Sequence, residues 1–243
     1  MLHLISIGIF NENDMSVNAV ETAMHCDELY VEFYTSRLET TAEKLSGFLG
    51  KPVKELRRED VEEHGDRLIN MAREKDVGLL VGGDCLTATT HISLLLDAKK
   101  AGVKTSVVHG SSVYTAVCET GLQIYKFGRT TTLPSFKAKS CYDVISANRK
   151  AGLHSLVLLD IGMTVRTAIE ALAAMENEEG MGVMTPETMV VACSRLGSPG
   201  STIRYGLPLR LMEDKELERP QALLVIPGEL HFKEEEALGT YSY

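Results

Sequence analysis

Apolar positions along this chain follow two rhythms. Short runs and strict alternations suit strands, and spacings of three to four residues suit helices. In the first half the two take turns. Residues 2–9, 77–81 and 105–109 are short apolar runs, and residues 28–34 (ELYVEFY) alternate with β-branched and aromatic side chains. Residues 16–25, 40–49, 59–74, 89–100 and 111–119 carry helical spacing. Strands separated by such helices predict a parallel sheet with right-handed crossovers.

The texture changes near Lys126-Phe127-Gly128-Arg129. The polar stretch Thr130-Thr131-Thr132-Leu133-Pro134-Ser135 is broken by proline and reads as a connection. Beyond it, residues 141–151 and 165–178 predict helices, while 155–161, 189–195, 202–205 and 222–226 predict strands. Some of these strands follow one another through turns such as Gly197-Ser198-Pro199-Gly200, which favours a mixed sheet. The expected fold class is α/β in two lobes. Residues 1–128 form the first, with a mainly parallel sheet; 129–139 are a linker; residues 140–243 form the second, with a mixed sheet.

Composition narrows the class without changing it. A chain of 243 residues, 44% apolar and 24% charged, is ordinary for a globular protein and can bury a large core. No apolar run approaches the roughly 20 residues that span a bilayer. The start lacks the basic region and cleavage site of a signal peptide, so a cytoplasmic protein without membrane association is expected. The five cysteines are scattered with no C-x-x-C, and the histidines show neither H-x-H nor H-E-x-x-H. A disulfide framework and a metal site are therefore disfavoured, and His25 and His109 read as satisfied structural groups.

The net charge of −9 disfavours nucleic-acid binding. Its distribution is uneven. Residues 99–150 carry nine Lys/Arg and only Glu119 and Asp143 as acids, whereas residues 1–98 carry nine against eighteen. This basic island reads either as solvated lysines or as a docking surface, with Lys126, Arg129, Lys137 and Lys139 lining the approach of a protein substrate.

The most informative local pattern is Val77-Gly78-Leu79-Leu80-Val81-Gly82-Gly83-Asp84, an apolar strand that stops at two glycines and an aspartate. Glycine permits a tight turn and close approach of another molecule. Asp84 then offers a carboxylate at the end of a parallel strand, where open α/β sheets place their ligands. A helix N-cap explains the same residues. No G-x-x-x-x-G-K-[ST], G-x-G-x-x-G or G-x-S-x-G is present, which disfavours the usual phosphate loop, dinucleotide fold and serine hydrolase. With no evident acid, base or nucleophile set, the profile fits an enzyme whose cofactor is already reactive.

In order along the chain stand Ile7-Gly8-Ile9 with Asp14, Val31-Glu32-Phe33-Tyr34-Thr35-Ser36, and Gly83-Asp84 with Ala88-Thr89-Thr90-His91. Thr120-Gly121-Leu122-Gln123-Ile124-Tyr125-Lys126-Phe127-Gly128, Gly152-Leu153-His154-Ser155-Leu156 and Leu159-Asp160-Ile161 follow. The set closes with Ala192-Cys193-Ser194-Arg195-Leu196-Gly197-Ser198 and Ile226-Pro227-Gly228-Glu229-Leu230-His231. Together these blocks resemble the diphthine synthase family over nearly the full length. The E-F-Y-T-S and A-T-T-H blocks set that family apart from tetrapyrrole-methylating relatives.

The resemblance implies an S-adenosyl-L-methionine-dependent methyltransferase of the tetrapyrrole-methylase fold, a homodimer with its cofactor in a cleft between two α/β lobes and S-adenosyl-L-homocysteine as product. It implies a protein substrate, translation elongation factor 2, methylated on the amino group of an aminocarboxypropyl-histidine to give diphthine. Cofactor contacts carried over by matching positions are Ile9, Asp84, Thr87, Ser112 and Val113 in the first lobe, and Leu159, Leu196 and Ala222 in the second. Core packing is the competing reading for the last three. A catalytic side chain is not required: an α-amino group of pKa about 7.7–8.0 is roughly a tenth neutral at pH 7. Orientation can supply about 7–11 kcal/mol. A tetrapyrrole C-methyltransferase and a non-catalytic binder of the same cofactor are the alternative readings. Two departures stand out: the family commonly has proline where this chain has Cys85, which puts a thiol near the expected cofactor, and residues 129–140 are shorter than in relatives and lack their tryptophan.

Overall fold

The opening apolar run forms β1 (Leu2–Gly8), followed by α1 (Val17–His25), β2 (Glu28–Glu32), α2 (Ala42–Leu49) and β3 (Val53–Leu56). Then come α3 (Arg58–Glu62), α4 (Asp66–Met71), β4 (Val77–Gly82), α5 (Ile92–Lys100) and β5 (Thr105–Val108). The computed structural model describes residues 1–219 and 221–242, and these elements fall in the first of its two units, residues 1–113. The five strands form one sheet in the order β3-β2-β4-β1-β5, with every pairing parallel. Val77, Leu79, Leu80 and Val81 of central β4 are fully buried, as a strand covered on both faces requires. Helix starts follow capping chemistry: Ser16 accepts from the Ala19 N–H and Thr41 from the Lys44 N–H.

Two elements differ from the sequence expectation. Residues 59–74 form two helices rather than one, because the chain turns at Gly65. A Cβ there would lie 2.6 Å from the Val61 carbonyl oxygen. The edge strand β3 was not anticipated, since Lys54 and Glu55 face solvent and leave too little apolar pattern.

The second unit begins at Tyr114, within α6 (Val113–Ala116). It contains β6 (Thr131–Leu133), α7 (Lys139–Lys150), β7 (Ser155–Leu159), α8 (Val165–Glu179), β8 (Val190–Ser194) and β9 (Thr202–Gly206). After these come α9 (Pro208–Glu213), β10 (Ala222–Ile226) and α10 (Phe232–Gly239). Strand order is β6-β7-β10-β8-β9; β6 and β7 are parallel and the other pairs antiparallel, so the sheet is mixed as expected. Its core gathers Tyr142, Ile145, Ile169, Leu172, Val190 and Leu224.

The division between units falls earlier than the 128/129 expected from composition. Residues 129–139, expected as a linker, contain β6, whose Thr131 and Leu133 pair with Val157 and Leu159. Pro134, which suggested a connection, stands just past that strand's last residue. Among the described residues no helix is long and apolar enough to cross a membrane.

Candidate functional site

In the first unit the chain leaves β1 for β2 on one side of the sheet and leaves β4 for β5 on the other. Because all strands are parallel, the loops after β1, β4 and β5 emerge together, and divergence of this kind opens a ligand crevice at carboxyl ends. Gly8 and Gly83 tie two of these loops by reciprocal backbone hydrogen bonds of 3.2 and 2.7 Å. Both have positive φ, +101° and +76°, which glycine adopts without strain.

Asp84 follows at once and its carboxylate is fully engaged. Oδ1 accepts from the Leu86 N–H at 3.0 Å and the Thr87 hydroxyl at 3.1 Å. Oδ2 meets His109 Nδ1 at 2.8 Å and accepts from the Gly110 N–H at 3.3 Å. A carboxylate offers about four lone-pair positions, so none is left for a ligand. Burial opposes its charge, but the Leu86, His109, Gly110 and Thr87 donors outweigh that and hold its pKa below the ordinary aspartate value. No helix starts at Asp84: α5 begins at Ile92 with His91 at its cap position, so the helix N-cap reading is not borne out. The Asp84 carboxylate instead braces the loop through the Leu86, Thr87, His109 and Gly110 donors. The Cys85 thiol does not enter the loop surface. It is buried in the core with Sγ 3.8 Å from the Val108 carbonyl, and burial raises its pKa.

The other first-unit candidates stand on the same loops. The Ile9 and Phe10 N–H groups donate to Asp14 Oδ2 at 3.2 and 2.8 Å, which curls the chain after β1. Ser112 and Val113 follow Gly110, whose glycine identity is enforced by packing: a Cβ would lie 2.6 Å from Ser6 Cβ. The structure therefore brings Ile9, Asp84, Thr87, Ser112 and Val113 to one end of one sheet.

In the second unit, register gathers the remaining three. Leu158 pairs with Leu223 and Ser194 with Ala222, so Leu159, Ala222 and the residues after β8 share one end of the sheet. Leu196 is buried, while Leu159 and Ala222 are half-buried against the core, so packing accounts for part of their character. Backbone strain singles out the same places. Among the described residues, Ala88, Arg195 and Gln221 are the non-glycine residues with positive φ (55°, 57° and 65°). They adjoin Thr87, Leu196 and Ala222 respectively. Such conformations cost about 1–3 kcal/mol and persist where the surroundings over-determine them, often at ligand sites. Just beyond β6 and β7 lies a groove of about 470 Å³ lined by Leu133, Pro134, Phe136, Asp160, Ile161 and Met163 among others.

The basic island is largely neutralised from within. Lys126 Nζ meets Glu234 at 2.6 Å and the Glu229 carbonyl at 2.5 Å, Lys139 meets Glu179, and Lys137 meets Glu178. Glu234 is itself completely buried, accepting from the His231 and Gln123 N–H groups and from His154 Nε2. Burial works against that charge, yet these donors and Lys126 bring its pKa down to about 2. Of the four cations expected to line a docking surface, three are committed to carboxylates of the chain.

The E-F-Y-T-S and A-T-T-H blocks meet in the interior of the first unit. Tyr34 Oη lies 3.2 Å from His91 Nε2, and Glu32, fully buried, lies 3.8 Å from the same nitrogen. Burial raises the pKa of Glu32 and lowers that of His91. Pairing over this separation in sequence carries no periodicity, which is why the blocks looked independent.

Residues 1–207 match the family model described as Tetrapyrrole (Corrin/Porphyrin) Methylases. The chain is 38% identical over 251 residues to a diphthine synthase of Methanocaldococcus jannaschii, covering 98% of this chain and 97% of the relative. It is 41% identical over 250 residues to a diphthine synthase of Methanocella arvoryzae, covering 98% and 96%. A crystal structure of diphthine synthase superposes with a TM-score of 0.93 at 36% identity, covering 99% of this chain and 95% of the other.

Proposed function

The chain belongs to the tetrapyrrole methylases and, within them, to the diphthine synthases, and we propose that it methylates the amino group of the aminocarboxypropyl-histidine on translation elongation factor 2, forming diphthine. Its methyl donor in this reading is S-adenosylmethionine, and it acts in the cytoplasm as a homodimer. The observation that carries the reading is the match to diphthine synthases across 98% of the chain. The meeting of Glu32, Tyr34 and His91 supports it from the structural side, because the two family-distinguishing blocks build one interior cluster.

Ile9, Asp84, Thr87, Ser112, Val113, Leu159, Leu196 and Ala222 are the cofactor contacts in this reading, carried over from matching family positions. The donor set fits such a ligand. It is made of apolar side chains, backbone groups at strand ends and an open glycine at position 83, where a Cβ would meet no atom within 4 Å. Asp84 contributes through its backbone, since its carboxylate is saturated. When bound, the cofactor supplies an electrophilic methyl group. The chain's own task is alignment of the acceptor nitrogen, and orientation of two reactants can supply about 7–11 kcal/mol. The strained backbone at Ala88, Arg195 and Gln221 keeps the contact residues in place before either reactant arrives.

Mass spectrometry of intermediate-bearing elongation factor 2, incubated with the protein and S-adenosylmethionine, tests the reading. Mass steps of one methylene on the modified histidine are expected, and their number counts the transfers. Methyl label on a precorrin-type pigment with none on the factor would overturn it. Light scattering of the purified protein tests the dimer.

A further inference from the structure

His109 is the one candidate that the sequence reading dismissed and the geometry promotes. It follows β5, while Asp84 follows β4, and β1 lies between those strands. The two side chains meet over the carboxyl end of β1, at the mouth of the crevice. Nδ1 of His109 lies 2.8 Å from Asp84 Oδ2. The Asp84 side chain is 8% exposed and that of His109 is 69% exposed. An ionised carboxylate can only accept, so Nδ1 carries the hydrogen and donates it. With Nδ1 held by Asp84, Nε2 is the ring nitrogen left for a second partner, on a side chain that is mostly exposed.

The aspartate is a rigid orienter. Its remaining positions are filled by the Leu86, Thr87 and Gly110 donors, and Gly110 is pinned against Ser6. Around the pair, Cys85 keeps its thiol in the core, and Asp14, beside Ser111 on the loop after β1, has Oδ2 engaged by the Ile9 and Phe10 N–H groups. A carboxylate that fixes the tautomer of an imidazole, leaving its far nitrogen free, is the arrangement that general bases use.

We propose that His109 is the catalytic residue that accepts the proton lost by the acceptor amine, with Asp84 as its positioning residue. The inference rests on the amine-methylation reading above. In the step, an N–H bond of the bound ammonium breaks and its electron pair stays on the acceptor nitrogen. The proton forms a new N–H bond at Nε2, and the resulting imidazolium, being exposed, returns it to solvent. Each later transfer to a nitrogen that still bears hydrogen sheds its proton by the same route.

The tests use the full chain. In His109→Ala, kcat/KM for the factor at pH 7 is expected to fall about tenfold, because only the roughly one acceptor in ten that is already neutral then reacts. The deficit should close as pH rises to about 9, and added imidazole should restore rate in His109→Gly. Calorimetric affinity for S-adenosylmethionine should change by less than about threefold. Independently of activity, nitrogen-15 NMR of the unliganded protein should find the Nδ1–H tautomer at His109, lost in Asp84→Asn. Wild-type kcat/KM in His109→Ala at every pH, or an Nε2–H tautomer, would overturn the proposal while leaving the methyltransferase reading intact. If the wild-type protein transfers no methyl to the factor, both fail together.

Discussion

Arg195 donates its backbone N–H to the carbonyl of Gln221 at 2.9 Å, and both residues hold left-handed backbone. One follows β8 and the other precedes β10, so the bond locks two strained corners at the sheet end that carries Leu196 and Ala222. A β-branched residue tolerates positive φ worst. Gln221→Val is therefore expected to lose about 1–2 kcal/mol of stability and to weaken S-adenosylmethionine binding. Gln221→Gly should bind better than Gln221→Val. Urea unfolding with calorimetry checks both, and equal affinities in the two variants would sink the link between strain and binding.

Lys126 and Lys137 look alike in sequence but hold different partners. Lys126 faces fully buried Glu234, whereas Lys137 and Glu178 are both more than half exposed. Removing Lys126 leaves a buried carboxylate short of a donor, at a cost of about 1–3 kcal/mol. Lys137→Ala should cost under about 1 kcal/mol. Thermal unfolding of Lys126→Ala and Lys137→Ala gives the comparison, and the reverse ranking would refute this account of the basic island.

The depressed pKa of Glu234 makes stability depend on acid. Its folded value of about 2 lies below the ordinary 4.5, so the folded protein holds this proton less tightly than the unfolded chain. The contribution is fully present above about pH 4.5 and is lost as pH falls toward 2. At about 1.4 kcal/mol per unit it amounts to roughly 3 kcal/mol. Glu234→Gln should unfold earlier in urea at pH 7, with the deficit shrinking below pH 4.5. A deficit independent of pH would show that the charge is not its source.

Gly83 and Gly110 stand in the same site for different reasons. A Cβ at Gly83 meets nothing within 4 Å but must adopt φ +76°, while one at Gly110 collides with Ser6. Gly83→Ala should cost about 1 kcal/mol, from backbone strain alone. Gly110→Ala should cost about 2–3 kcal/mol and should disturb the Asp84 contact as well. Chemical denaturation ranks them; a larger loss for Gly83→Ala would contradict the packing argument.

Much of the fold was legible in the order of residues. The apolar runs that became β1, β4, β7 and β10 are buried and lie within a residue or two of their expected ends, because core strands carry continuous hydrophobic pattern. Of the edge strands, β5 and β9 were legible and β3 and β6 were not. Strands β3 and β6 have little to bury, and α9 and α10 are too short and too polar to show periodicity. The blocks carrying the resemblance ran in order from residue 7 to residue 231, and matches to diphthine synthases over 98% of the chain agree with them.

What sequence alone determined about this protein is local: which stretches are strands or helices, that the strand before Asp84 stops at Gly82-Gly83, and which family the motif order resembles. Strand order was decided by packing, and with it every functional relationship between distant residues. Only when β1 lies between β4 and β5 does His109 come within 2.8 Å of Asp84. The physical reason is range. Hydrophobic period and capping act over a few residues and leave a trace in the chain. A hydrogen bond between loops that follow different strands depends on which strands are neighbours, and neighbouring strands are chosen by burial of the whole sheet.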